Sequence, residues 1–302
     1  MPNPRIVAIG LALAALSLGC DPDPGRAARK DSTVLAQREA RLTENLAKPD
    51  SASQGDPLAR WELPRGLREI SGLALTPDGR LFAHDDNTAM IYQVDYRRGV
   101  LVKEFQLGDK LVQGDFEAIA VAGERMYLLT SDGVLYRFPE GTDHSRVAYN
   151  EIDTGLGKHC EFEGMTYDAS SNALVLACKT VYQKSLEHQL VLYRWGLPNG
   201  EPLTRVVVSE EAIVGKHDDK GELHPTDISI DPANGYYVLL TKDGRLIEIT
   251  PEGSVVAVHK LPDRHQQPEG LAITKDGFVL ISDEAGPRAA SITAYRGFPR
   301  GK

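Results

Sequence analysis

The chain lacks most of the patterns by which nucleic-acid-binding proteins and common enzymes are recognised from sequence. It has no basic block, and its 43 acidic residues outnumber its 34 Lys and Arg, which gives a formal net charge of -9. Nucleic acid is bound through clustered basic residues and is therefore not expected as a partner. No Gly-x-Ser-x-Gly motif presents a hydrolase nucleophile, and no glycine-rich loop after a strand is placed to hold a phosphate. The sequence shows no direct sign of catalysis.

Cysteine is scarce, with three residues in 302. No Cys/His spacing indicates zinc, because His159 and Cys160 are adjacent and no second pair follows. Cys160 and Cys178 fall within one repeat unit, where hairpin pairing would bring their regions close together. Either a disulfide, which an exported location permits, or two free thiols fits this placement.

The longest apolar run, Ile6–Leu18, follows Arg5 near the N-terminus. Its 13 residues fall short of the roughly 20 that span a bilayer, so residues 1–19 are predicted to be a targeting segment. The run ends in Leu16-Ser17-Leu18-Gly19-Cys20, which resembles a bacterial lipobox, although Leu is usual where Ser17 stands. The resemblance implies a lipoprotein signal peptide whose cleavage leaves Cys20 as a lipidated N-terminus. The alternative is an ordinary secretory signal with an incidental cysteine.

Residues 20–56 are rich in Pro, Asp, Arg, Lys, Gln and Ala and poor in large apolar residues. Such a composition cannot bury a core and predicts a flexible tether. A lipid on Cys20 would hold the protein at the cell membrane, facing the periplasm. By analogy with enteric lipoproteins, Asp21 suggests the inner membrane, and the outer membrane is the alternative.

Residues 57–302 contain five copies of one short phrase, an acidic or hydroxyl residue followed by a small apolar run. The copies are Ser71-Gly72-Leu73-Ala74, Glu117-Ala118-Ile119-Ala120, Glu163-Gly164-Met165-Thr166, Asp227-Ile228-Ser229-Ile230 and Glu269-Gly270-Leu271-Ala272. Apart from a longer third interval, they recur at roughly the 40–50 residues of a propeller blade. Asn-Gly and Asp-Gly turns separate β-rich runs within the units. The pattern predicts an all-β fold, a β-propeller of five four-stranded blades.

The last repeat has three predicted strands where the others have four. The segment Leu58–Leu63 is apolar enough to supply the missing outer strand and thereby close the ring, which removes an exposed sheet edge. A sixth blade hidden in the long third interval is the alternative.

In each blade the start of the first strand and the end of the second should lie on one face. The five anchors would then gather around the central channel, where clustered carboxylates raise one another's pKa or bind a cation. Oxygen ligands favour calcium, and Glu117, Glu163, Asp227 and Glu269 are the candidate ligands. Carboxylates at strand starts also accept backbone hydrogen bonds, a structural role that competes with metal binding for each residue.

Further side chains on that face are candidates for binding a ligand: Glu69, Ser71, Asp86, Lys179, Lys242 and Asp283. The two lysines lie among acids, where charge compensation is favoured over an anion site.

Several of these segments together resemble the SdiA-regulated (YjiK-like) family of exported bacterial β-propellers. The matching segments are Glu69–Leu73, Asp115–Ile119, Cys160–Tyr167 and Pro268–Ala272. The resemblance covers about residues 60–296, and the fourth copy, His224–Ser229, departs from it most. Since the family has no firmly established reaction, the resemblance implies a fold more than a function.

The favoured hypothesis is a membrane-anchored binding module whose acidic, calcium-binding face recognises a ligand or an envelope partner. The alternative is a metal-dependent, phytase-like phosphoesterase, in which the metal would activate water and Lys179 or Lys242 would bind phosphate. A purely structural envelope scaffold is a third hypothesis.

Overall fold

The computed structural model describes residues 32–48, 55–198, 200–215 and 223–299. The predicted signal peptide, Cys20 and Asp21 lie outside the described residues. Within the described ranges, no helix has both the length and the apolar character needed to cross a bilayer.

The described chain forms helix α1 (Ser32–Ala47), a short helix α2 (Glu210–Val214) and 21 strands. In chain order the strands are β1 (Ala59–Glu62), β2 (Ile70–Leu75), β3 (Leu81–Asp85), β4 (Met90–Asp95), β5 (Val100–Leu107), β6 (Phe116–Ala122), β7 (Arg125–Thr130), β8 (Val134–Pro139), β9 (Arg146–Val147), β10 (Asn150–Asp153), β11 (Cys160–Asp168), β12 (Ala173–Val181), β13 (Gln189–Gly196), β14 (Glu201–Ser209), β15 (Pro225–Ile230), β16 (Tyr237–Thr241), β17 (Arg245–Ile249), β18 (Val255–Lys260), β19 (Pro268–Ile273), β20 (Phe278–Asp283) and β21 (Ser291–Arg296). Helix α2 lies between β14 and β15.

These strands form five antiparallel sheets arranged around an axis, which confirms the predicted five-bladed propeller. From the axis outward the blades are β2-β3-β4-β5, β6-β7-β8-β10, β11-β12-β13-β14, β15-β16-β17-β18 and β19-β20-β21-β1. The two-residue strand β9 pairs in parallel with β5 at the outer edge of the first blade. The long third interval contains the extended strands of the third blade rather than a sixth blade.

The N-terminal strand closes the ring, as the sequence predicts. Strand β1 pairs antiparallel with β21, from Ala59 opposite Ala294 to Glu62 opposite Ser291. The Trp61 ring is buried there, and its Nε1 donates to the carbonyl of Tyr96 at 2.9 Å. The first and last parts of the domain therefore share one blade.

The core consists of five apolar layers, one between each pair of neighbouring blades. Successive side chains of a strand point to opposite faces of its sheet. Leu73 of β2 accordingly packs in the layer toward the fifth blade, while the next residue, Ala74, packs toward the second. Since both faces of each blade are covered, the inner strands are nearly continuous apolar runs.

Part of the predicted tether is ordered, because helix α1 packs on the propeller. Leu42 is 4% exposed and joins the apolar layer between the fifth and first blades. Arg38 Nη1 donates to the carbonyls of Arg98 and Gly99, at 3.1 and 2.8 Å. The structure thus has a docked helix over residues 32–47, a part of the segment for which the sequence predicts a tether. A helix with so few apolar positions is stabilised by tertiary docking rather than by its own propensity, which the sequence does not show.

Candidate functional site

Each of the five inner strands begins with an irregularity in its pairing. The register with the second strand skips one residue in every blade, and the skipped residues are Ser71, Glu117, Glu163, Thr226 and Glu269. A bulge of this kind leaves one residue unpaired and changes the direction of its side chain. These five bulge residues are the structural equivalents around the axis, and we call the end of the channel where they lie the acidic mouth.

Asp227 is not the fourth equivalent that its sequence motif suggests. It pairs with Leu240, one residue beyond the bulge, at the position that Gly72, Ala118, Gly164 and Gly270 occupy in the other blades. Thr226 takes the bulge position instead. The motif is misleading because the acid of the fourth repeat, Asp227, lies one residue after the bulge rather than at the bulge itself.

The Asp227 carboxylate is buried and holds inner strands together. Its Oδ2 accepts the N–H of Leu271 in the fifth blade at 2.7 Å, and its Oδ1 accepts the N–H of Ile228 at 2.8 Å. Burial raises the pKa of Asp227 well above its ordinary value, although these backbone donors oppose the shift. With both oxygens engaged by amides, the Asp227 carboxylate has a structural role in joining the inner strands.

Small residues after the bulge let the inner strands approach one another. A Cβ added to Gly164 would lie 3.0 Å from the Cα of Asp227. A Cβ added to Gly270 would lie 2.8 Å from Leu73 Cγ. Glycine is needed at these two positions because the inner strands pack closely around the axis and leave no room for a side chain.

The hydroxyl bulge residues connect blades through hydrogen bonds. Ser71 Oγ donates to the carbonyl of Glu117 in the second blade at 3.3 Å. Thr226 Oγ1 donates to the carbonyl of Pro268 in the fifth blade at 2.8 Å. Ser71, predicted to bind a ligand, is 6% exposed and has this structural contact.

Glu117, Glu163 and Glu269 share the mouth with one lysine from the end of β12. Lys179 Nζ lies 3.0 Å from Glu163 Oε2 and 3.4 Å from Glu161 Oε1. Burial disfavours the charged form of Lys179, but the Glu163, Glu117 and Glu161 carboxylates raise its pKa nonetheless. Lys179 is therefore a permanent counter-charge within the acid cluster, the arrangement that charge compensation predicts.

The three glutamates have raised pKa values because they are desolvated and lie near one another. Burial, reinforced by the charge of Glu163, raises the pKa of Glu117 to about 8. Burial and the charges of Glu163 and Glu284 raise the pKa of Glu269 to about 8. Burial also raises the pKa of Glu163, although Lys179 opposes the shift. Near neutral pH, Glu117 and Glu269 are therefore largely protonated.

A second group of acids surrounds this cluster. Burial and the charge of Asp85 raise the pKa of Asp86 to about 6. Burial and a hydrogen bond with Glu69 raise the pKa of Glu284 to about 7. Lys242 is close enough to lower the pKa values of Glu163 and Glu284. Glu69, Asp86 and Lys242 thus lie at the mouth as the sequence predicts, whereas Glu284, which the sequence analysis did not select, joins them.

Asp283 is not part of the mouth. It is 4% exposed, and its Oδ2 lies 2.8 Å from His265 Nδ1. His265 Nε2 in turn lies 2.6 Å from the hydroxyl of Tyr295. This buried chain lies within the fifth blade, so Asp283 has packing partners in place of the predicted ligand contact.

A disulfide lies beside the lysine and its acidic partners. Cys160 begins β11 and Cys178 lies near the end of β12, and their Cα atoms are 5.7 Å apart. Glu161, Glu163 and Lys179 flank the two cysteines in sequence. The cross-link therefore restrains the hairpin that carries these three charged side chains.

Calcium binding at the acidic mouth stays a prediction. No group of three or more His, Cys, Asp or Glu side chains within residues 32–48, 55–198, 200–215 and 223–299 gathers in a geometry that could hold a metal. The Lys179 ammonium contributes the positive charge that such an ion would supply. The raised pKa values of Glu117 and Glu269 favour the neutral, protonated form of these side chains.

A cavity of about 810 Å³ opens at the end of the inner strands opposite the acidic mouth. Apolar residues such as Leu73, Ile119 and Ile228 line it, and Arg97 and Asp276 at its rim are paired with each other. The sequence does not predict this cavity, because that end of the channel is formed by the turns between the first and second strands, which carry no repeated functional motif. Its size suits a small molecule, but it contains no cluster of buried acids comparable to that of the acidic mouth.

No protein-family model matches the chain, and no curated protein matches its sequence. Among solved structures, the fold is similar to glutaminyl cyclase from Myxococcus xanthus, with a TM-score of 0.51 and 15% identity over 79% of this chain and 95% of that one. It is also similar to a luciferin-regenerating enzyme, with a TM-score of 0.50 and 9% identity over 80% of this chain and 98% of that one. At such low identity these similarities support the β-propeller fold alone.

Proposed function

We propose that the protein is a binding module whose acidic mouth takes up a positively charged organic group, a primary ammonium or a guanidinium. The observation that carries this proposal is that Glu117, Glu163 and Glu269 occupy equivalent bulge positions in three blades. All three are desolvated, and they lie close enough for the charge of Glu163 to raise the pKa of the other two. Acids outnumber the lysines that face them there, and carboxylates satisfy the several N–H donors of such cations. Ionisable groups with strongly shifted pKa values are also typical of functional sites.

The raised pKa values couple binding to protons. A cation in the mouth favours the charged carboxylates, so Glu117 and Glu269 release protons when it binds. Affinity therefore rises with pH through the region of their pKa values, about 8, and falls below it. Calcium, for which the sequence argues on ligand chemistry, would have to move these glutamates and displace Lys179, so it is the second choice of cation.

Isothermal titration with putrescine between pH 6 and pH 9 tests the proposal. We expect affinity to rise at least about tenfold across this range and the observed heat to change with the ionisation enthalpy of the buffer. Glu117→Gln and Glu269→Gln should weaken binding, whereas Glu124→Gln, on the turn that follows β6 at the opposite end of that strand, is the matched control. Calcium chloride is titrated in parallel.

The effect of Glu117→Gln can also be measured as a change in the melting temperature of the protein. Because the folded pKa of Glu117 lies above its unfolded value, Glu117 destabilises the fold increasingly as pH rises from about 4.5 through about 8. Glu117→Gln should accordingly raise the melting temperature at pH 9 and leave it nearly unchanged at pH 4. Binding that is independent of pH, or calcium-dependent phosphomonoester hydrolysis lost in Glu117→Gln, would sink the binding-module proposal.

We also propose that the module is a lipoprotein of the SdiA-regulated (YjiK-like) family, held at the cell membrane through Cys20 and facing the periplasm. The lipobox-like segment supports the anchor, and the five-bladed fold agrees with a family of exported propellers. Helix α1 (Ser32–Ala47) packs on the domain between Cys20 and the first blade strand.

Metabolic labelling with an alkyne-bearing fatty acid tests the anchor. We expect the chain to carry the label and to partition with membranes, and Cys20→Ser to abolish both properties. The double variant Cys160→Ser/Cys178→Ser should keep the label, since its cysteines lie in the folded domain. An unlabelled mature chain that begins at a residue other than Cys20 would refute the anchor.

A further inference from the structure

A small pocket adjoins the acidic mouth where the two ends of the domain meet. It lies between residues 63–68, which connect β1 to β2, and residues 285–290, which connect β20 to β21. Hydrogen bonds join these two connections at both ends of the pocket, from Leu63 N to the carbonyl of Ala290 at 2.8 Å and from Ala285 N to the carbonyl of Arg68 at 2.9 Å. The pocket is thus held open by backbone contacts, with a volume of about 260 Å³.

Three arginines line this pocket, in a protein whose net charge is negative. They are Arg65, Arg68 and Arg288. Arg68 Nε lies 3.6 Å from Glu69 Oε1, at an exposed position. Among the described residues, neither Arg65 nor Arg288 has a carboxylate at ion-pair distance. Three exposed arginines therefore border one pocket, and two of them lack a carboxylate partner, so they give the pocket a local positive charge that an anion would neutralise.

The remaining lining residues are mostly apolar: Leu63, Pro64, Ala285, Gly286, Ala289 and Ala290. Arg60 and Arg264 line an adjoining depression together with Arg288. The acids Asp283 and Glu284 line the same depression and offset part of its positive charge. Arg264 is already engaged, since its Nη2 donates to the carbonyl of Gly55 at 3.1 Å. The charge available to a ligand is therefore concentrated on the three pocket arginines, next to an apolar wall.

We propose that this pocket binds an oxyanion, a phosphate or carboxylate group, carried by a small molecule with a short apolar body. The planar guanidinium donates two parallel N–H bonds to such groups, a geometry that lysine lacks. The apolar wall would contact the part of the molecule next to the anion. The lining of this site contains none of the mouth's glutamates, although Arg68 is paired with Glu69 at the boundary between the two sites. The proposal does not depend on the function proposed for that mouth.

Isothermal titration of the full chain at fixed ionic strength tests the site, with inorganic phosphate, phenyl phosphate and benzoate as probes. We expect saturable binding of phenyl phosphate that is tighter than that of inorganic phosphate, because only the former reaches the apolar wall. Benzoate distinguishes a carboxylate preference from a phosphate preference. Raising the salt concentration should weaken binding of all three.

The double variant Arg65→Gln/Arg288→Gln should lower affinity for the preferred probe at least about tenfold. Arg125→Gln, at the exposed start of β7 on the opposite side of the propeller, is the matched control and should bind like the unmodified chain. Both sets of variants change exposed side chains, so equal melting temperatures verify that folding is unaffected. No saturable binding at millimolar probe, or equal affinity in the double variant and the control, would overturn the proposal.

Discussion

A chain that begins at residue 64 will fail to form a stable ring, whereas a chain that begins at residue 55 will fold. The first lacks β1, which supplies the outer strand of the fifth blade. It also loses Leu58, Trp61 and Leu63, each at most 8% exposed. Burial of a large apolar side chain contributes about 1.5–3 kcal/mol, so the loss is comparable to the whole stability of a typical domain, about 5–15 kcal/mol.

Urea unfolding followed by circular dichroism, together with size-exclusion chromatography, measures this effect. The chain that begins at residue 55 is the matched control, because it lacks residues 1–54, including helix α1, and keeps β1 (Ala59–Glu62). We expect a cooperative transition for the control and an aggregated or non-cooperative state for the shorter chain. The point variant Trp61→Ala should lose about 3–5 kcal/mol within the complete chain. Equal urea midpoints for the two truncated chains would show that the ring does not depend on β1.

Asp227→Ala will destabilise the domain by about 2–4 kcal/mol, the largest effect expected for a polar residue near the axis. The substitution leaves the buried N–H groups of Leu271 and Ile228 without their acceptors, at about 1–3 kcal/mol each. It also opens space where the inner strands of the fourth and fifth blades meet.

Asp227→Asn is the matched control, since its amide keeps one carbonyl oxygen as an acceptor at nearly the same volume. We expect Asn to cost distinctly less than Ala in chemical denaturation. Glu269→Gln, which alters the mouth rather than the strand contacts, should have a small effect at neutral pH. If Asp227→Ala were as stable as Asp227→Asn, the carboxylate would not be the connection between blades that its geometry indicates.

Local patterns predicted the architecture because its determinants are local. Alternating and continuous apolar runs define strands of about six residues, and Asp-Gly and Asn-Gly turns separate them. The short fifth repeat and the apolar segment 58–63 indicated ring closure, which β1 and β21 confirm. The segment of helix α1 has too few apolar positions for its sequence to predict more than a turn or two of helix. Its stability comes from Leu42 and Arg38, which contact parts of the chain distant in sequence.

The candidate site was predicted less completely, for a reason visible in the fourth blade. The motif places an acid at residue 227, but a one-residue difference in bulge position makes Thr226 the equivalent of Glu117, Glu163 and Glu269. Since successive residues of a strand face opposite directions, such a shift converts an expected ligand into a buried structural carboxylate. Asp283 was likewise reassigned by a partner, His265, that no motif connects to it.

The sequence by itself determined the number of blades, their order and the closure of the ring, because each repeat carries its own strands and turns. Only the tertiary structure decided which side chains meet: the pairing of Lys179 with Glu163, the cavity at the far end of the channel, and the arginines of the pocket. Arg65 and Arg68 come from the beginning of the domain and Arg288 from its end. They become neighbours only because ring closure brings the two ends of the domain into one blade, a long-range contact that no local pattern encodes.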